Sequence, residues 1–411
     1  MPSTTFALLT LLTAATAACT YDIDCSLNGR CAADGVCACY QGWGGAVCSQ
    51  LNLLPAPVVG AFGGGIGANT SSWGAGVVRD AASGVYVMYV DQITRSCGLG
   101  SWQPNSHCVV ATSATPTGPY TKVRTLQAAY CHGSSLARDP VTGTYIFGHM
   151  AKAAPATACN QCSNGTTPPH APTGPCDADA DALPYSQTAF SAPGPLGPFT
   201  PAPGFVNCGN GENFFNADGS VVSACPEGNA TADSFLAVKT APSAAAAIAG
   251  SWTKLPQTLS VAGSNVSVPE IGFHWEDQTI WRDPRGYYHT LMHAFRGQNT
   301  TLPEPGCIQV NGTFMPPDCR SLGGHAYSID ASHWWISREP AYTASVVFED
   351  GTVAQMRARE RPHVLLGADG ELAFFLSGVG DPGPGGNTGA GGADHSYTLI
   401  QPVASASADG Q

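Results

Sequence analysis

The sequence predicts an all-β protein, a five-bladed β-propeller behind a small disulfide-rich N-terminal module. Three observations predict it. The first is composition: of 411 residues, 49 are Gly and 32 Pro, while charged residues make up only 11%. That balance suits a turn-rich sheet protein better than a helical one. The second is internal repetition. Ala111-Thr112-Ser113 followed by Gly118-Pro119-Tyr120 returns as Ala189-Phe190-Ser191 followed by Gly197-Pro198-Phe199. Altered copies are Ala237-Val238-Lys239 with Gly250-Ser251-Trp252, and Ala326-Tyr327-Ser328 with Trp334-Trp335. Repeats of one supersecondary unit mean a closed or stacked array. The third is a run of six cysteines between Cys19 and Cys48.

Residues 1–18 read as a signal peptide. An apolar stretch from Phe6 to Ala18 ends in Ala15-Thr16-Ala17-Ala18, small residues suited to cleavage, although no Lys or Arg precedes it. Elsewhere no 18 consecutive residues are apolar, so no membrane span is expected. Six Asn-x-Ser/Thr sequons, at Asn69, Asn164, Asn229, Asn265, Asn299 and Asn311, agree with a secreted glycoprotein. The formal charge is -12, and Lys122, Lys152, Lys239 and Lys254 are the only lysines. With no basic stripe, nucleic acid and anionic membranes are excluded as partners.

The module occupies residues 19–48. Thirty residues cannot bury a sufficient core, so crosslinks must replace it. The run Cys37-x-Cys39-x5-Gly45-x2-Cys48, with Gly42-Trp43 inside it, resembles an EGF-like module. Six cysteines alone leave fifteen connectivities open. The resemblance implies Cys19–Cys31, Cys25–Cys37 and Cys39–Cys48, and the role of a spacer or adhesive unit that could meet an extracellular protein. No His lies among these cysteines, which argues against zinc, and no acidic run precedes Cys19 for calcium.

A Pro-punctuated linker, 49–58, leads into the blades at 59–402, with 403–411 as a disordered tail. Five inner-strand segments recur, each ahead of a Gly turn and a second strand. They begin at Trp73, His132, Glu212, Trp275 and Glu360, roughly 60 to 85 residues apart. The turns hold Gly84, Gly143, Gly219, Gly286 and Gly370. Four-stranded sheets arranged radially leave only short, protected edges. The fifth unit lacks an Ala-x-Ser strand, and Ser396-Tyr397-Thr398-Leu399-Ile400 is the segment expected to close the ring.

This pattern resembles the five-bladed propeller glycosidases, the superfamily of arabinanases, β-xylosidases and invertases. Trp275-Glu276-Asp277, ten residues before Gly286-Tyr287-Tyr288, is similar to the segment that carries their general acid. The resemblance implies a carbohydrate ligand, poly- or oligosaccharide of plant or algal type, and catalytic carboxyls at one mouth of the channel. It also admits a central calcium ion, although no ligand set in the sequence demands one. The first blade of that superfamily supplies an Asp, whereas this chain has Ser72-Trp73-Gly74-Ala75. The second-blade Asp is likewise replaced near His132, with Asp139 lying later.

Glycoside hydrolysis needs one protonated and one ionised carboxyl. The candidates are Glu276 as acid, with Asp277 and Glu360 beside it. A regular strand would turn Asp277 to the face opposite Glu276. Trp73, His132, Trp275 and Arg361 are the candidate ligand-binding residues. Glu212 reads as a turn residue, and His289 and His293 as buried strand histidines. Asp139-Pro140 and Asp283-Pro284 read as turn chemistry. In the propeller, Cys97–Cys108 and Cys307–Cys319 are expected as local disulfides, leaving Cys131, Cys159, Cys162, Cys176, Cys208 and Cys225 unassigned. Two functions follow: a secreted, divergent glycoside hydrolase, or an inactive propeller of the same type that binds carbohydrate or mediates adhesion. A purely structural extracellular protein is the third.

Overall fold

The computed structural model describes residues 19–65, 70–151, 158–162, 174, 176, 183, 188–206, 210–227, 235–262, 273–296, 308–310, 313–315, 322–337, 339–381 and 394–404. Segment 1–18, the asparagines of all six sequons, Cys307 and Cys319 lie outside them.

Five antiparallel hairpins form the inner half of the fold. They run from Ser71–Arg79 to Tyr86–Ile93, Cys131–Arg138 to Tyr145–Ala151, and Glu212–Phe215 to Val221–Glu227. The last two run from Phe273–Arg282 to Tyr288–Arg296 and from Ala358–Leu366 to Leu372–Gly380. Their five turn glycines have φ of 74°, 74°, 82°, 95° and 80° in chain order. A β-carbon disfavours that region, which explains why one residue type recurs there.

The Ala-initiated marks fall on the third strands of blades one to four: Ser106–Ser113, Ala189–Ala192, Phe235–Ala241 and Leu322–Ser328. Fourth strands complete those sheets. The fourth blade also gains Thr258–Val261, parallel to His333–Ile336. In the fifth blade Ser396–Pro402 is the third strand, as the sequence suggests. Residues 52–54 then take the fourth place. Leu53 bridges Val403, Leu54 N–H donates to the Pro402 carbonyl at 2.9 Å, and Ala404 N–H donates to Asn52 at 2.8 Å. Each inner strand touches the next, and the fifth touches the first, so the sheets close into a ring around a channel.

An apolar cluster fills each of the five seams. Tyr89 and Phe147 meet between blades one and two, and Ile146 and Phe215 between two and three. Leu236 and Met292 meet between three and four, Trp281 and Phe375 between four and five, and Leu376 and Met88 between five and one. Neighbouring residues on one strand serve opposite seams, Ile146 one and Phe147 the other, because side chains alternate along a strand.

The three module disulfides join Cys19–Cys31, Cys25–Cys37 and Cys39–Cys48. The module is docked on the seam between blades four and five. Trp43 stacks on Trp281 with ring centres 6.5 Å apart and lies 4.7 Å from His325. Arg285 sits 4.0 Å over the Tyr40 ring, and the Tyr327 hydroxyl donates to Ile23 at 3.0 Å. In the propeller the expected Cys97–Cys108 bridge does not form. Cys97 pairs with Cys162 and Cys108 with Cys131, and Cys159 pairs with Cys176. Cys97 lies just past the end of its strand, on the loop that meets Cys162, whereas Cys108 points into the seam toward the second blade. No described cysteine is free.

Candidate active site at the channel mouth

The site is built by a bulge that recurs near the start of the inner strands. Gly74, Gly133, Asp277 and Arg361 all occupy the left-handed region, with φ of 63°, 68°, 61° and 55°. Strand register shifts at all four, between Trp73 and Ala75, His132 and Ser135, Glu276 and Thr279, and Glu360 and His363. Glycine adopts this backbone freely, while a residue with a β-carbon is strained by about 1–3 kcal/mol. The two strained residues are the charged ones, on adjacent blades, and they pair. Arg361 Nε lies 3.2 Å from Asp277 Oδ1, and the Arg361 backbone N–H donates to Oδ2 at 3.3 Å. Gly74 leaves room for this arginine, since a β-carbon there would stand 2.9 Å from Arg361 Cβ.

The bulge overturns the expectation that regular alternation separates Glu276 from Asp277. One atom each of Glu276, Asp277, Glu360 and His293 lies within 4.8 Å of the others. His293, on the second strand of blade four, is fully buried. Its Nδ1 is 3.6 Å from Glu276 Oε1 and 3.8 Å from Glu360 Oε2. It is therefore part of the carboxyl cluster rather than an inert strand histidine.

These neighbours set the protonation of the cluster. Burial raises Asp277 well above the ordinary carboxylate range, against the opposing charge of Arg361. Burial likewise raises Glu360, with His293 opposing. Glu276 moves the other way. Burial pushes it up, but His293, Arg361 and a hydrogen bond from Asn210 Nδ2 at 3.2 Å together hold it below its usual value. His293 is raised: burial lowers it, and Glu360 and Glu276 outweigh that.

Beside this cluster the channel opens as a small pit, lined by Asp91, Ser134, Glu212, Asp277, Arg361 and His363 among others. Glu212 is not a mere turn residue. It begins the third inner strand, accepts from Thr279 Oγ1 at 2.6 Å and meets His363 Nδ1. Asp91 escapes the sequence reading altogether, because it lies on the second strand of blade one. It is fully buried and accepts from Gly133 N–H at 2.7 Å, Ser134 N–H at 3.1 Å and Ser134 Oγ at 2.6 Å. Burial still raises it to about 6. The one available signal was a lone acid in the apolar run Tyr86–Ile93.

The other candidates fare differently. His132 is buried, with Nδ1 2.9 Å from Ser106 Oγ and 3.4 Å from Asp91 Oδ2, its ring 4.8 Å from Trp102. Burial and Arg361 hold it neutral. Trp73 is 2% exposed and packs against Gly378, so it is no platform for a sugar ring. Trp275 sits in the fourth inner strand opposite Ala294, and its side chain lies outside the described residues. Asp139 and Asp283 do bind turn amides, at Val141 and Tyr287.

Calcium fits this mouth poorly. It takes six to eight oxygen ligands. Here one of the four donors is an imidazole, and one carboxylate is already held by Arg361.

Residues 22–51 match the Teneurin-like EGF domain family. No curated protein matches the chain in sequence. Among solved structures, the chain is similar to an endo-arabinase from Bacteroides thetaiotaomicron, at 13% identity and a TM-score of 0.41, over 82% of this chain and 95% of that one. It is also similar to an α-L-arabinofuranosidase from Podospora anserina, at 11% identity and 0.44, over 86% and 98%. A family 117 glycoside hydrolase from the marine bacterium Zobellia galactanivorans gives 12% identity and 0.44, over 87% and 90%. The fold rests on the sheets themselves and the chemistry on the mouth residues: the chain is an EGF-like module docked on a five-bladed β-propeller whose channel mouth gathers carboxyl groups.

Proposed function

We propose that the protein is a glycoside hydrolase acting by double displacement, with Glu276 as nucleophile and Glu360 as acid and base. One observation carries this: two carboxyls share His293, one held ionised and the other held toward its protonated form. Environments that push two carboxyls apart in this way assign the acid and the base. This reverses the role that the sequence suggests for Glu276.

The two carboxyls are neighbours, with one oxygen of each within 4.8 Å of the other. Inversion uses carboxyls about 6.5–9.5 Å apart and double displacement about 5–5.5 Å, so the anomeric form of the first product tests this order of events. Glu276 attacks the anomeric carbon while Glu360 gives its proton to the leaving oxygen. Glu360 then takes a proton from water, whose oxygen displaces Glu276 and regenerates both groups. His293, buried between them, orients each.

Assay on arabinan, xylan, fructan and aryl glycosides tests the reading. Glu276→Gln and Glu360→Gln should each lower turnover by about 10²–10⁴-fold. Full activity in either variant sinks it.

A second reading, carbohydrate binding or adhesion without turnover, is favoured by the first inner strand, which brings Gly74 and Ala75 to the mouth and no carboxyl. Binding by a wild-type protein inactive on the whole panel would select it. Under either reading we place the protein outside the cell, a site supported by the six disulfides whose two cysteines are both among the described residues. An extracellular protein partner would meet the undocked face of the module, where Tyr21 is exposed.

A further inference from the structure

We propose that the channel mouth selects sugars by charge, preferring amine-bearing rings to neutral ones and rejecting rings that carry a carboxylate or sulfate. The inference rests on reading the mouth as a carbohydrate site, and it adds the class of sugar.

Five acids converge there: Asp91, Glu212, Glu276, Asp277 and Glu360. Three basic groups face them, and each already has an acidic partner. Arg361 is held by Asp277, His363 by Glu212, and His293 lies between Glu276 and Glu360. The remaining ring, His132, is neutral beside Asp91. Arg285 is engaged at the module seam by Asp283 and Glu371. Among the described mouth residues, then, no cation is left for an anionic guest. A uronate or sulfate could reach Arg361 or His363 only by displacing Asp277 or Glu212. That would leave a buried carboxylate unpaired, the costly outcome for any buried ion pair.

The same surplus favours a cation. Burial raises Asp91, Asp277 and Glu360, so the mouth draws in positive charge as protons. An ammonium on a sugar ring supplies that charge and brings three donors to a mouth rich in carboxyl acceptors, with Glu276 held ionised.

The test is binding of matched methyl thioglycosides, which resist cleavage, to the wild-type protein at pH 7 and low salt. Each set, in gluco and galacto configuration, holds the neutral sugar, its 2-amino form and its uronate. The amino form should bind about tenfold more tightly than the neutral one and the uronate about tenfold more weakly. Glu212→Gln, which frees His363, should move the uronate-to-amine affinity ratio up by about tenfold or more. A purely structural role for Glu212 would weaken all three sugars alike. A uronate that binds as well as the amine, an unchanged ratio in Glu212→Gln, or no binding of any sugar overturns the inference. Hydrolysis is scored separately on aryl glycosides. Absent turnover with the charge order intact ends the hydrolase reading alone. Turnover dependent on Glu276 with uronate preferred ends this inference alone.

Discussion

Asp277 and Arg361 occupy the same bulge position on neighbouring inner strands, and their side chains meet at 3.2 Å across the blade seam. Asp277 is buried, so removing its partner leaves a desolvated carboxyl without a counter-charge. Arg361→Ala should destabilise the fold by about 3–5 kcal/mol. Arg361→Lys should recover only part of that, because an ammonium cannot reproduce the guanidinium fork. Urea unfolding of the two variants measures both, and an alanine variant as stable as wild type refutes the pairing.

The activity proposed for Glu276 and Glu360 has a defined pH signature. Glu276 must be ionised, and its depressed value keeps it so into acid. Glu360 must carry a proton, and its raised value keeps one at higher pH than an ordinary glutamate would. kcat/KM should therefore form a bell, rising as Glu276 ionises and falling as pH rises through the Glu360 value. Glu360→Gln should abolish the alkaline limb of whatever activity remains on aryl glycosides with good leaving groups. A profile rising steadily past pH 8 contradicts the assignment.

Among the contacts between module and propeller, Trp43 offers the test of whether docking stabilises the blades. Trp43 is buried against Trp281 and His325, and Leu372 and Phe375 share its cluster. Trp43→Ala should cost about 3–5 kcal/mol. If the module were instead a loose tether, the propeller transition would not move in calorimetry.

Cys97–Cys162 and Cys108–Cys131 join positions 65 and 23 residues apart. On loop entropy the longer bridge should contribute about 4 kcal/mol and the shorter about 3 kcal/mol. Paired Cys→Ser variants, compared by denaturant midpoint, should fall in that order. Peptide mapping that recovers a Cys97–Cys108 fragment would refute both bridges.

Acid should destabilise the fold through its histidines. Burial lowers His132, His149, His289 and His325, with His149 brought to about 4. Their stabilising share is complete above the unfolded value of about 6.5 and is lost as pH falls below it, because the unfolded chain binds more protons. His293 opposes them, and so do the raised carboxyls of Asp91, Asp277, Glu360 and Asp394, which bind protons in the fold before the unfolded chain does. Removing one lowered ring isolates its share: His149→Phe, between Phe147 and Phe190, should shift the slope of melting temperature between pH 7 and 5 toward greater stability in acid. An unchanged slope in that variant contradicts the burial of the ring.

The repeats were legible because each encodes a local necessity. Gly84, Gly143, Gly219, Gly286 and Gly370 stand where a hairpin needs a left-handed residue, and alternating apolar residues stand where a blade needs two packed faces. Cysteine spacing likewise marked the module, because thirty residues have few other ways to fold. The mouth was legible only in part. Glu276, Glu360 and Arg361 begin inner strands, and every inner strand points its start at the channel. Asp277 was misread because a bulge breaks the period of two on which the reading depended. Glu212 looked like part of a turn, and Asp91 and His293 sit on second strands, where nothing local marks a residue as facing the channel. Sequence thus determined which strands form and how often, since backbone conformation and burial pattern are local. Tertiary structure alone decided which carboxyls share a proton environment, since desolvation and pairing depend on side chains that only ring closure brings together.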